Sequence, residues 1–512
     1  MKDKNFFITT PIYYPSGQPH MGHAYSSIIA DVFARFKRND GFNVHFLTGT
    51  DEHGLKIQKA AEKSKLDPLI YCNNISKVFK DLAKKLDLSI DDFIRTTEER
   101  HKNSVNDLWG RLVKSGDIYL SKYKGWYSVS DEAYYNEDEI IEKNGKKVSS
   151  FSGSLVEWVE EESFFFKLSA WEKKLLDFYE KNPKFILPLS RRTEVINFVK
   201  SGLKDLSVSR TSFTWGIKVP NNKNHIIYVW LDALTNYLSA LNYPDLNSKL
   251  YKSFWPASLH VIGKDILRFH AIYWPAFLLA AGIEAPKRVF GHGWILSGDE
   301  KMSKSKGNIL NPIEIIENYG IDEMRYYLMK EVSHGSDGNI SIENLKNCIN
   351  SDLANNYGNL CQRIFSFIKN NCNNSVVKKG DYSKNDKQFI KQTNNLTNNL
   401  RELIDNQDLN NYMKSVINIS FLTNKYINDE EPWKLKKENI NKMNNILHLS
   451  LEQIAKISIL LNPIMPKSTS KVLDALNINA KDRNYSFLDG SKIIPDKINL
   501  SSFNILFKKV EL

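Results

Sequence analysis

Short apolar runs alternating with helix-period runs constrain the first hundred residues more than any other feature. Phe6-Phe7-Ile8 reads as a buried strand, Met21 to Lys37 as a helix, Val44-His45-Phe46-Leu47 as a second strand, and the stretch after Gly54 as a second helix. Strand, helix, strand in this order is a βαβ unit with a parallel sheet, whose ligands collect beyond the carboxyl ends of the strands. From Gly116 to about Asn224 the rhythm breaks into aromatic-rich strands and turns, such as Gly125-Trp126-Tyr127-Ser128-Val129 and Ser163-Phe164-Phe165-Phe166-Lys167. It resumes at Leu259-His260-Val261-Ile262-Gly263 and Arg288-Val289-Phe290-Gly291, so one parallel sheet is interrupted by an α+β insertion. Beyond about Ser341 the chain turns rich in Asn and Lys, and its periodicity becomes helical. Leu353, Tyr357, Leu360, Ile364 and Phe367 form one three-four repeat, and Leu447, Leu451, Ile454 and Leu461 form another that Pro463 ends, which predicts a helix bundle. The Asn-rich tracts 370–374 and 394–399 read as loops without function.

Two short segments far apart carry phosphate chemistry. In Pro19-His20-Met21-Gly22-His23 the histidines fall on the opening turn of a helix, where phosphate is favoured, and Lys301-Met302-Ser303-Lys304-Ser305 is a cationic loop bracketed by Gly298 and Gly307. When a carboxylate attacks the α-phosphate of ATP, charge grows on the phosphate oxygens, and donors fixed in advance lower the barrier most. His20 and His23 supply donors, Gly22 leaves room for close approach, and Lys301 and Lys304 supply charge for the leaving pyrophosphate. Each segment alone also fits a surface turn or a solvated basic loop; their occurrence together in this order does not.

These two motifs resemble those of the class I aminoacyl-tRNA synthetases. The resemblance is strongest to the methionine-activating members and covers nearly the whole chain, through Thr48-Gly49-Thr50-Asp51-Glu52-His53-Gly54, Tyr228-Val229-Trp230-Leu231-Asp232-Ala233-Leu234, Ile262-Gly263-Lys264-Asp265-Ile266 and Glu431-Pro432-Trp433. It implies an α/β fold with a split Rossmann-type parallel sheet at 1–115 and 225–340. An inserted α+β connective module would occupy 116–224, and an all-α anticodon-binding helix bundle 341–512. The activity implied is ligation of methionine to tRNA(Met), initiator tRNA included, through methionyl-adenylate, with Mg²⁺ carried mainly by the phosphates of ATP.

A methionine site needs an anion for the ammonium and an apolar, polarizable cavity with a weak donor for the thioether. Asp51 lies just after the second strand and suits the ammonium, although an aspartate there could equally cap the following helix. By resemblance the walls would be Pro11, Ile12, Tyr14, Trp230, Ala233, Leu234, Tyr237, Ile266 and His270, with Tyr237 and His270 offering hydrogen bonds toward sulfur. The helical spacing from Trp230 to Tyr237 is also that of an ordinary core stripe. Gly263 and Asp265 would lie near the adenosine. Lys264 is not expected to move a proton, because the attacking carboxylate is already ionised at neutral pH.

Many of these synthetases hold zinc in the insertion through cysteine pairs. Here Ser128 and Asp131 stand where the first pair is expected, and the insertion contains no cysteine, so no structural zinc is expected. In the bundle, Asn359 and Arg363 lie one helical turn apart, and Pro432-Trp433 enters the basic segment Lys434-Leu435-Lys436-Lys437. The resemblance puts Asn359, Arg363, Pro432 and Trp433 on the CAU anticodon, where unpaired bases stack on aromatic rings; without it, Trp433 also fits a packing role.

A chain of 512 residues exceeds one ordinary core. A hydrophobic share of 42% and a net charge of +11 suit a globular protein with a polyanionic partner, without choosing among polyanions. Cys72, Cys348, Cys361 and Cys372 have neither metal nor disulfide spacing, which suits a reducing cytoplasm, and no stretch is a signal peptide or long enough to span a bilayer. No dimerising extension follows the bundle, so a monomer is expected. A nucleotidyltransferase acting on a small substrate would not need the basic helical region, and a non-catalytic RNA-binding relative would not keep His20, His23, Asp51, Lys301 and Lys304 together.

Overall fold

The computed structural model describes residues 4–15, 17–131, 133–297, 300–301, 310–332 and 335–511, with Lys301 described by its main chain alone. Lys304, Gly298 and Gly307 lie outside the described residues.

Six parallel strands form the central sheet, in the spatial order Asp92–Arg95, Asn43–Thr50, Asn5–Thr9, Leu259–Gly263, Val289–His292, Ile186–Leu187. The chain winds outward in one direction from Asn5–Thr9 and in the other from Leu259–Gly263, so the order reverses between these two strands. A crevice opens there beyond their carboxyl ends. The edge strand Ile186–Leu187 comes from within the segment 116–224, so part of that segment belongs to the sheet rather than to the insertion.

Period-2 alternation sends neighbouring side chains to opposite cores. Ile8, Phe46, Val261 and Phe290 face one core with the Met21–Asn39 helix, while Phe7, Leu47, Ile262 and Val289 face the other with the insertion. The first core runs without interruption into the helix bundle, through Leu353, Tyr357, Tyr412, Leu451 and Leu461. The insertion is built on a four-stranded antiparallel sheet in which Ile118–Ser128 pairs with Glu157–Phe166 along almost its whole length.

Arg325 fastens the bundle to the catalytic half. Its guanidinium, fully buried, donates to Asp31 Oδ2 at 2.6 Å on the Met21–Asn39 helix, to the carbonyls of Pro463 (2.8 Å) and Ile464 (2.7 Å), and to Leu86 O at 3.1 Å. Burial opposes ionisation of Asp31, but Arg325, Arg35 and hydrogen bonds from Ser89 outweigh it and hold its carboxyl below the ordinary carboxylate range.

The stripe predicted from Leu353 to Ile364 is buried, but its last member differs: Phe365 and Ile368 are in the core, and Phe367 only flanks it. Within the regular Asn359–Asn371 helix the core face is centred on Leu360, Cys361, Ile364, Phe365 and Ile368, which leaves Phe367 at its edge.

Candidate active site

His20 is the N-cap of the Met21–Asn39 helix and His23 is its third residue, and together they form a reciprocal capping box. His20 Nδ1 accepts the Gly22 N–H at 3.1 Å, and His23 Nδ1 accepts the His20 N–H at 3.1 Å. A neutral ring whose Nδ1 accepts must carry its proton on Nε2, so the cap fixes both tautomers and leaves two Nε2–H donors. Burial first, and then the neighbouring Lys56 ammonium, hold His23 well below the ordinary histidine value and keep it neutral. Gly22 has a local reason besides ligand access: a Cβ there would stand 2.9 Å from His20 Cε1 and push the ring out of its cap.

His20, Gly22, His23, Gly263 and Asp265 line one cavity at the crevice. It is joined to a second cavity of about 290 Å³, which collects Asp51, Trp230, Ala233, Leu234, Tyr237 and His270. Pro11, Ile12, Tyr14 and Ile266 line both. Ten residues predicted from four separate segments thus converge on one space. Asp51 does not cap the following helix, whose N-cap is Gly54 with φ 101°; its main chain is pinned instead, Asp51 N donating to Tyr13 O at 2.9 Å. Its neighbour Glu52 is fully buried and held by Arg95 through both carboxylate oxygens, at 2.7 and 2.9 Å, so the segment carrying Asp51 is rigid.

Tyr237 and His270 meet each other before they meet a ligand. His270 Nδ1 lies 3.0 Å from Ile266 O, which places its proton there, and Nε2 accepts from Tyr237 Oη at 2.7 Å. Burial lowers His270 to about 4, so the ring is neutral. The pair faces the cavity with one shared proton rather than the two donors expected, and Tyr237 would have to turn that proton from His270 to offer it to sulfur. Trp230, stacked on Phe269 with centroids 3.6 Å apart, has a buried indole N–H without a hydrogen bond among the described residues.

Lys264 is engaged by Asp337 at 2.8 Å and lies over the Trp294 ring, in keeping with a structural cation. A Cβ at Gly263 would stand 2.5 Å from Asp265 Oδ1, so a larger residue there would displace that carboxylate. Lys301 ends the short strand Glu300–Lys301, which pairs with Ile295–Ser297 leading from the crevice. Sequence reasoning missed Lys56, which lines both cavities, and His292, which bonds Ser26 at 2.7 Å beside the phosphate cavity. The Gly291-His292-Gly293 triplet was the available signal for His292; nothing local distinguishes Lys56.

In the bundle, Asn359 is exposed and Arg363 donates to Asn428 Oδ1 at 2.9 Å. Trp433 is 42% exposed, with the Arg363 guanidinium 5.9 Å from its ring centre, which argues against a packing role. Pro432 is buried behind Glu431, which ends the Leu409–Glu430 helix in a left-handed conformation with φ 44°; the proline turns the chain and presents no surface of its own.

Residues 6–365 match the family model described as tRNA synthetases class I (M), and residues 376–511 match that described as the anticodon binding domain of methionyl tRNA ligase. The chain belongs to the class I methionyl-tRNA synthetase family. It is 48% identical over 508 residues to the methionine–tRNA ligase of Rickettsia felis, covering 97% of this chain and 98% of that one. With the ligase of Brucella suis it shares 47% over 487 residues, covering 95% and 94%. Among solved structures, the Mycobacterium tuberculosis methionyl-tRNA synthetase in complex with methionyl-adenylate superposes with a TM-score of 0.96 at 42% identity, over 98% of this chain and 99% of that one. The apo form of the same enzyme gives 0.89 at 39% identity, over 99% of each chain.

Proposed function

We propose that the chain activates methionine with Mg²⁺-bound ATP and transfers the methionyl group to the 3′-terminal adenosine of tRNA(Met), initiator tRNA included. The observation that carries this reading is the junction of the two cavities through Pro11, Ile12, Tyr14 and Ile266. An amino acid anchored with its ammonium on Asp51 and its side chain between Trp230, Leu234 and Tyr237 would point its carboxylate at the α-phosphate of a nucleotide lying along His20 and His23. The Nε2–H donors of the two histidines stabilise charge growing on the phosphate oxygens, and Lys301 and Lys304 draw off pyrophosphate. The attacking carboxylate needs no base, so catalysis rests on positioning and charge. The ribose hydroxyl of the tRNA then attacks the mixed anhydride and AMP leaves. Asn359, Arg363 and Trp433 read the anticodon, with Pro432 shaping the turn. The chain acts as a monomer in the cytoplasm, where its four unpaired cysteines stay reduced.

ATP–pyrophosphate exchange with a panel of amino acids tests the reading. Methionine alone should drive exchange strongly and be carried onto tRNA(Met); equal exchange with leucine or cysteine would overturn it.

A further inference from the structure

Within the insertion, two turns face each other beside the amino-acid cavity. Ser128 to Asp131 and Ser149 to Ser152 each have the two-residue gap of paired metal ligands. The leading hydroxyls are fully buried and accept main-chain N–H groups from their own turns: Ser128 Oγ from Asp131 at 3.3 Å, and Ser149 Oγ from Phe151 and Ser152 at 3.2 and 3.3 Å. The Asp131 carboxylate bridges the gap. Its Oδ2 accepts from Ser152 at 2.5 Å and from Tyr135 at 2.7 Å, and its Oδ1 from Ser154 at 2.7 Å.

These residues do not fit the zinc that cysteine pairs hold in many family members. Neutral serine hydroxyls are poor zinc ligands, and the one carboxylate is already committed to three O–H donors. Among the described residues no group of three or more His, Cys, Asp or Glu side chains could hold a metal. We propose that Asp131 does the work of the metal: it cross-links the two turns by hydrogen bonds and thereby positions Phe151 and Ser152 on the wall of the amino-acid cavity. Asp131, Phe151 and Ser152 all line that cavity. The cross-linked unit is tied to the opposite wall by Glu139, whose carbonyl accepts from Ser150 N at 2.8 Å and whose carboxylate pairs with Arg268 at 2.8 Å, between Ile266 and His270. Asp131 is therefore a positioning residue for methionine, acting through the turn it holds.

Two variants of the full chain test this. Asp131→Ala leaves three hydroxyls without their acceptor, so KM for methionine in pyrophosphate exchange should rise roughly fivefold or more while KM for ATP stays within about twofold. A fourfold variant, S128C/D131C/S149C/S152C, should bind one zinc per chain after gel filtration, and its KM for methionine should rise with chelator and fall again with zinc. An unchanged KM in Asp131→Ala, or a fourfold variant that retains no zinc, overturns the proposal. The methionine readout rests on the proposed function. The zinc stoichiometry does not, so a failure of one is distinguishable from a failure of the other.

Discussion

Two tasks meet on the imidazole of His23, and single substitutions can part them. Nδ1 accepts the His20 N–H at 3.1 Å and completes the cap, and the Nε2–H that this leaves is the atom assigned to phosphate. Alanine removes both. Asparagine reaches about as far as Nδ1 with its amide oxygen and places nothing at Nε2, so it should keep the cap and lose the donor. A cap of this kind is worth about 1 kcal/mol, which in a chain this long shifts the melting temperature by only roughly 2 °C. A donor preset for charge developing in the transition state is worth about 2.7–4 kcal/mol, or ~10²–10³ in kcat. In pyrophosphate exchange, His23→Ala should therefore lose both activity and a little stability. His23→Asn should regain the melting temperature yet stay ~10²-fold slow. KM for methionine should not follow, since His23 lines the phosphate cavity. A glutamine, whose amide nitrogen can approach the Nε2 position, should recover part of the rate. An asparagine variant exchanging at the wild-type rate would refute the tautomer argument, and one that fails to recover stability would refute the cap.

Further expectations follow from burial and charge. Desolvation holds His23 and His260 well below the ordinary histidine value, His45 and His292 below it, and His270 at about 4. The unfolded chain takes up these protons first, so stability is full above about pH 6.5 and falls below it, each histidine contributing about 1.4 kcal/mol per pH unit until its folded pKa is reached. A melting temperature that is flat or rises from pH 7.5 to 5.5 would contradict this. Arg325→Met takes the nearer counter-charge from the buried Asp31, leaving it Arg35 and Ser89, and removes a donor from three carbonyls; it should cost about 3 kcal/mol in urea unfolding, with part recovered by adding Asp31→Asn, and a loss under about 1 kcal/mol would refute the fastening role. Trp433→Ala should lower kcat/KM for tRNA at least roughly tenfold while pyrophosphate exchange continues at the wild-type rate, base stacking being worth about 1–3 kcal/mol; intact charging would remove Trp433 from the anticodon site.

What could be read from the sequence depended on how local the determinants were. The strands around Phe7, Phe46 and Val261 and the long helix after Met21 follow from short-range apolar patterning, whereas the reversal of strand order rests on pairing Asn5–Thr9 with Leu259–Gly263, segments far apart in the chain. The phosphate histidines were legible as residue types, but their tautomers depend on backbone directions at the helix start that only three dimensions supply. Ile186–Leu187 was missed because two residues carry no period. Phe367 was misplaced because three-four counting from Ile364 reaches Phe367 as readily as Ile368, and only packing decides which of them faces the core. Tyr237 and His270 were found as cavity residues, but their mutual bond joins positions 33 apart and could not be counted from either segment. The partners of Asp131 lie up to 23 residues away and are serines and a tyrosine, ordinary residues in any loop.

The core shared by the Met21–Asn39 helix and the bundle has a mechanical corollary. With Arg325 gripping both sides and Lys37 pairing with Asp405 at 2.5 Å across the same seam, a swing of the helical domain relative to the phosphate histidines would have to break both contacts and open the shared core. The span from Trp433 to His20 is then a fixed gauge. Under the proposed function, an RNA with its anticodon at one end would have to bring its acceptor end to the other by its own length and curvature, so the protein would measure the molecule as well as read its bases.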